Sequence, residues 1–309
     1  MGVKTFEIEV AAPYRLDLTV WTLRRRAHNE IDRWDGSRYQ RTVMVAGQPI
    51  QATVWLQPTP GSPVLGVELR GPGSMPGEAA VTEARRVIER TLGVGVDLAG
   101  FYDLAGRDER LQGLAQHFLG MRPPCFPSVF EAVVNAIACQ QLSLIVGIHL
   151  LNRLARHYGS APSRRAQPGF PTPERLAEAN PQALRSLGFS RAKARAIMLV
   201  AQQVASGLVD LEGLRNEADE NARAVLLELS GIGRWSAEYT LLRGLARWNV
   251  LPGDDVGARN NLRRRFGLTP SAGYQAVAQL AQQWWPYGGL VYFHLLLDTL
   301  AVDGQVRPS

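Results

Sequence analysis

A chain of 309 residues, 46% hydrophobic and 20% charged, is long enough for about two domains and excludes a chain disordered over most of its length. No run approaches the roughly 20 apolar residues of a membrane span, and the N-terminus alternates apolar and polar residues without the basic start and apolar run of a signal peptide, so a cytosolic protein with no membrane partner is expected. Lys and Arg total 34 against 28 Asp and Glu, a net +6 that is compatible with a polyanionic partner without establishing one; two cysteines, Cys125 and Cys139, are too few for a four-thiolate cluster and are expected to be buried thiols.

In chain order, the first 105 or so residues read as strands. Glu7 to Val10, Arg38 to Ala46, Ile50 to Leu56 and Val64 to Leu69 are short, rich in β-branched and aromatic residues, and separated by turns at Gly47-Gln48-Pro49 and Pro60-Gly61. Glu78 to Leu92 then carries Ala80, Ala84, Val87, Ile88 and Leu92 at helical spacing. From 106 to 309 helices follow one another. Ser128 to Glu131 has the S-x-x-E form of a capping box, continued by Val133, Val134 and Ile137; Thr172-Pro173 and Ser190 mark further starts. More helices are expected over about 219–229, 234–247, 256–266, 272–284 and 289–301, with Ala161 to Pro173 an exposed loop. The fold class is α+β: a small antiparallel-sheet domain over 1–105, then an all-α domain over 106–309.

Two segments point to chemistry. Leu229-Ser230-Gly231-Ile232-Gly233 joins two helices, and a G-x-G hairpin either ends the first as a plain cap or aims the amides of the second at an anion such as a phosphate. Downstream, Asp254 and Asp255 stand in a Pro/Gly turn before a helix carrying Arg259, Arg263, Arg264 and Arg265. Carboxylates there serve as helix caps, as catalytic groups, or as both. His149 and His294 lack ligand-like spacing and read as structural.

Together these segments resemble the helix-hairpin-helix DNA glycosylase superfamily, whose signature is an L-P-G-[IV]-G hairpin, a Gly/Pro loop and an aspartate; here 22 residues separate Gly233 from Asp255. Ile137-Ala138-Cys139-Gln140-Gln141-Leu142-Ser143 is similar to the I-x-x-Q-Q-[LIV]-S segment of the bacterial 3-methyladenine-DNA glycosylase II branch, and Pro181 to Ala201 resembles the same branch. The resemblance implies a helix-hairpin-helix motif over about 219–247 and Asp255 as the catalytic carboxylate, with Asp254 the alternative. It places Trp235 where strand-cleaving members carry a Schiff-base lysine, so hydrolysis without strand cleavage is expected. Trp235 is the first base-pocket candidate, followed by Tyr239, then Trp284, Trp285, Tyr287 and Phe293, with Leu296 standing where a relative has a second tryptophan.

Gln141 and Leu142 either wedge into the DNA or pack between two helices. Gly231, Ile232, Gly233, Arg234 and Arg259 are expected on the DNA backbone, Arg243 and Arg247 being further phosphate candidates. The carbonyls of Ser230, Gly231 and Gly233 are a candidate seat for a structural Na+ or K+, no cofactor being required. The expected function is release of alkylated purines, chiefly of the 3-methyladenine type, from damaged double-stranded DNA by a monomer that uses no nucleotide cofactor. The alternatives are a glycosylase for uracil, hypoxanthine or oxidised guanine, and a non-catalytic DNA-binding module.

Overall fold

The structure, a computed structural model, describes residues 2–57, 62–73 and 77–308; the expected turn at Pro60-Gly61 lies outside the described residues. Strands β1 (Val3–Glu9), β2 (Arg33–Trp34), β3 (Arg38–Val45), β4 (Gln48–Gln57) and β5 (Val64–Arg70) form one antiparallel sheet in the order β1-β5-β4-β3-β2. Its register pairs Ile8 with Leu65, Val54 with Val67 and Val43 with Ile50, so the apolar alternation of each strand faces one core. Between β1 and β2 runs α1 (Leu16–Arg24), which sequence periodicity misses: it is buried nearly all round, and a helix without a polar face shows no 3.6-residue stripe. Helix α2 (Glu78–Thr91) covers the sheet as its spacing predicts.

Helices α3 (Ala99–Ala105), α4 (Glu109–His117), α5 (Val129–Cys139) and α6 (Leu144–Tyr158) follow, then α7 (Pro173–Ala177), α8 (Pro181–Ser186) and α9 (Arg191–Ala205). The remainder is α10 (Asp219–Glu228), α11 (Arg234–Arg243), α12 (Val256–Phe266), α13 (Tyr274–Ala281) and α14 (Gly288–Val302). Ser128, Ser143, Thr172, Asn180 and Ser190 each cap a helix by accepting a first-turn amide, which satisfies donors the helix itself leaves open. The loop before α7 is only partly exposed: Thr42 of β3 donates to the Gln167 carbonyl and Phe170 is buried. Among the described residues no helix is long and apolar enough to cross a membrane.

Sheet and helices share their cores. The sheet packs with Phe126, with Ala132 and Ala136 of α5, and with Tyr239 of α11; Leu18 and Trp21 of α1 pack with α3, α4 and α14. A buried ion cluster adds a polar lock. Glu131 does not close its capping box; its carboxylate takes Arg41 of β3, which also holds Asp32, all three being nearly inaccessible. Burial pushes the Glu131 carboxyl up to about 7 against the opposing pull of Arg41. His294 is structural as expected: buried, it donates from Nδ1 to the Leu290 carbonyl, and burial lowers it to about 4. His149 is exposed instead, stacked on His28 with ring centroids 4.2 Å apart.

Candidate active site

The hairpin between α10 and α11 places its two glycines under different constraints. Gly231 has φ +80°, and a Cβ there would stand 2.7 Å from the Ala196 methyl, so both backbone and space demand glycine. Gly233 is extended and a Cβ on it meets nothing within 4 Å. It stands at the start of α11, where no side chain caps the helix, leaving first-turn amides for an external acceptor. Ile232 is buried and anchors the turn, so only its backbone is available outside.

The turn at 251–255 is held from beneath. Glu238, buried on α11, accepts from the Gly253 amide (3.1 Å), the Tyr274 hydroxyl (2.6 Å) and Arg223 (3.2 Å). Asp255 then caps α12, one carboxylate oxygen accepting from the Ala258 amide at 2.8 Å. The other accepts from the Trp235 indole N–H at 3.2 Å and the Tyr292 hydroxyl at 3.3 Å. All three donors are neutral. Asp254 differs: Arg234 and Arg259 hold it at 2.7 and 2.6 Å, so its charge is spent on an ion-pair network. Burial and the charge of Asp255 both push the Tyr292 phenol up, keeping it a donor.

Asp255 opens onto a cleft of about 890 Å³ that Trp235, Tyr239, Tyr292 and Leu296 also line. The Trp235 and Tyr239 rings lie 5.3 Å apart, inclined by 33°. Phe293 is not in the cleft. It is wholly buried against Trp248 and Tyr292, because one residue along a helix turns the side chain about 100° away from the Tyr292 and Leu296 face. Trp284 is buried against Phe266, Trp285 is on the surface and Tyr287 packs on Phe101. Tyr292 is the pocket residue that sequence reading missed; its i, i+4 relation to Leu296 was the available signal. Cys139 is half-buried and lines the cleft, whereas Cys125 is fully buried.

Gln141 and Leu142 form the opposite rim. Both are exposed, Leu142 by 42%, so neither packs between helices, and Gln141 has φ +53°. Ile145 and Val146 extend this apolar ridge. The turn is tied down on two sides. Lys193 donates to the carbonyls of Ala138 and Gln140, and the Gln140 amide donates to the Gly231 carbonyl (2.8 Å) and the Ser236 hydroxyl (2.7 Å). That bond takes one lone pair of the Gly231 carbonyl, the oxygen expected to face a cation. Among the described residues no His, Cys, Asp and Glu group is placed to hold a metal.

Three arginines are committed elsewhere than expected. Arg243 is fully buried and donates to the Thr22 carbonyl, and Arg247 serves the carbonyls of Leu214, Arg215 and Glu217 and pairs with Asp219. Arg259 ties Asp254 to the Gly253 carbonyl. Arg234 is half-exposed beside the hairpin, over the Tyr274 ring.

Residues 134–287, which contain the hairpin and the 251–255 turn, match the HhH-GPD superfamily of base excision DNA repair proteins. DNA-3-methyladenine glycosylase 2 of Escherichia coli (strain K12) is 33% identical over 178 residues, covering 57% of this chain and 60% of that protein. DNA-3-methyladenine glycosylase 1 of Schizosaccharomyces pombe is 31% identical over 164 residues, covering 52% and 69%. Across four such relatives the match spans 55% to 69% of their length. The 3-methyladenine DNA-glycosylase structure from Archaeoglobus fulgidus shares the fold, with a TM-score of 0.83 over 97% of this chain and 100% of that one at 24% identity. The chain therefore belongs to the HhH-GPD superfamily of base excision DNA repair proteins.

Proposed function

We propose that the protein is a monofunctional DNA glycosylase that hydrolyses the N-glycosidic bond of alkylated purines, of the 3-methyladenine type, in duplex DNA. The observation that carries this reading is Asp255: a carboxylate held by neutral donors only, facing a cleft walled by aromatic rings. As the C–N bond breaks, its electron pair leaves with the base and positive charge grows on the sugar. The Asp255 carboxylate stabilises that charge, orients the water whose oxygen bonds to C1′ and takes the proton that water gives up. Alkylation already makes the base a cationic leaving group, so one carboxylate suffices. Trp235, partly exposed at the cleft, presents a π face to such a base, worth about 0.5–2 kcal/mol per good contact, with Tyr239 buried behind it. Among the described residues no lysine lines the cleft, and Trp235 stands at the position expected for one, which supports hydrolysis over Schiff-base strand cleavage. The duplex lies across the hairpin amides with Gln141 and Leu142 entering the space the base vacates. The protein acts as a monomer in the cytoplasm and needs no nucleotide cofactor.

The test is a panel of lesion-bearing duplexes with free base and cleaved strand separated. Release of methylated purines from strands that stay intact until alkali treatment is expected; cleaved strands, or no released base, overturn the reading. The hairpin gives a second prediction. Gly233→Ala unfolds at the unaltered temperature, since its Cβ has open space, yet binds lesion-free duplex about tenfold more weakly, the cost of one displaced phosphate contact. Gly231→Ala loses affinity and stability together. Anisotropy titration and thermal melting separate the two, and unchanged affinity in both variants shows the hairpin to be a turn and nothing more.

A further inference from the structure

The cleft contains a charge that the hydrolysis above does not use. Arg25 caps the C-terminus of α1 with φ +61°, a backbone conformation that side-chain-bearing residues seldom adopt. Only 4% of it is exposed, yet it lines the cleft. Its Nη1 donates to the Tyr239 hydroxyl (2.7 Å) and its Nη2 to the Asn135 side-chain oxygen (3.0 Å), while Nε is buried with no partner. Both partners are neutral. The buried acid Asp32 is taken by Arg41 and Tyr39, and Asp255 is held by its own donors. Cys139 is a third neutral partner, and a guanidinium has more N–H groups than these bonds use, so the cleft holds a cationic donor with capacity left.

We propose that Arg25 determines which alkylated purine the cleft prefers: it donates to the 6-keto oxygen of an alkylated guanine and disfavours the 6-amino group of an alkylated adenine. This rests on the glycosylase reading and, within its alkylated purines, shifts the preference from 3-methyladenine toward alkylated guanine. N-alkylated guanine and adenine are both cationic before release, so repulsion by the guanidinium acts on both and largely cancels in their ratio. What remains is the edge each base presents. A keto oxygen accepts from Arg25; an amino group sets donor against donor and leaves buried N–H groups unpaired. As the C–N electron pair flows into the departing guanine, its keto oxygen gains negative charge, and a cationic donor favours that charge most when the bond is nearly broken.

Duplex treated with methyl methanesulfonate carries 7-methylguanine and 3-methyladenine together, so one digest yields both release rates. Arg25→Met keeps an unbranched apolar stem without the donor, and in it the ratio of 7-methylguanine to 3-methyladenine release falls about tenfold or more; Arg25→Lys, which retains a donor, falls less. An unchanged ratio in folded Arg25→Met overturns the proposal. Because Arg25 is buried, a second measurement uses the unaltered protein with free bases as ligands. Guanine and hypoxanthine are expected to bind about tenfold more tightly than adenine, and equal binding also overturns the proposal. Failure to release any base from the treated duplex sinks the glycosylase reading instead, while the free-base comparison still decides the role of Arg25.

Discussion

Asp255→Asn lowers single-turnover base release by roughly 10²–10³-fold or more, with duplex affinity held within a few fold. The substitution isolates charge. Asparagine is as good an N-cap as aspartate, so the Ala258 amide keeps its acceptor and α12 its start. The second atom becomes an NH2 facing the Trp235 and Tyr292 donors, which costs on the order of 1 kcal/mol of stability without opening the fold. What disappears is the negative charge opposite the sugar. Asp254→Asn is the matched control: its carboxylate is held by two arginines at the cleft edge, so its release rate stays within about tenfold of the parent. Release assays, anisotropy and melting on both variants decide the matter. An active Asp255→Asn with an inactive Asp254→Asn transfers the catalytic role to the neighbour.

The next largest effect is expected at a residue far less exposed to substrate. Glu238→Ala removes the acceptor of the Gly253 amide, the Tyr274 hydroxyl and Arg223 at once. A buried N–H left unpaired costs about 1–3 kcal/mol. The turn above it, which presents Asp255, loses its support, and displacement of a catalytic group by about 1 Å costs on the order of 100-fold in rate. We expect kcat to fall about 10–100-fold with KM little changed, since no substrate-binding surface is removed. Glu238→Gln, which still accepts from Gly253, recovers most of the rate. If both variants lose stability while the rate per folded molecule holds, Glu238 is a structural residue only.

Local patterns were legible in the sequence and long-range ones were not. The strands announced themselves by alternation and the cap serines by type and position, signals contained in a few neighbouring residues, whereas the link between hairpin and aspartate was read through a family resemblance across 22 residues. Helix α1 escaped because burial on every side erases periodicity. Phe293 and Arg243 were assigned by residue type, whereas the helix face decides which side chain reaches a cleft; Tyr292, one position away, is the one that does. Arg25, Gln140 and Glu238 depend on partners brought together by the fold. Arg25 and Tyr239 are 214 positions apart, and Gln140 and Gly231 are 91 apart, so no window along the chain contains either pair.

The shared cores have a mechanical consequence. Because the sheet buries Phe126, Ala132, Ala136 and Tyr239, and Arg41 ties β3 to α5, the sheet braces the helices that carry the cleft. A stiff protein passes strain to the softer partner. For the proposed activity that partner is the duplex, which must bend and unstack to bring a base to Asp255, at a cost that falls wherever damage has already loosened the helix. Discrimination then begins in the elasticity of the DNA, before any base reaches the aromatic cleft.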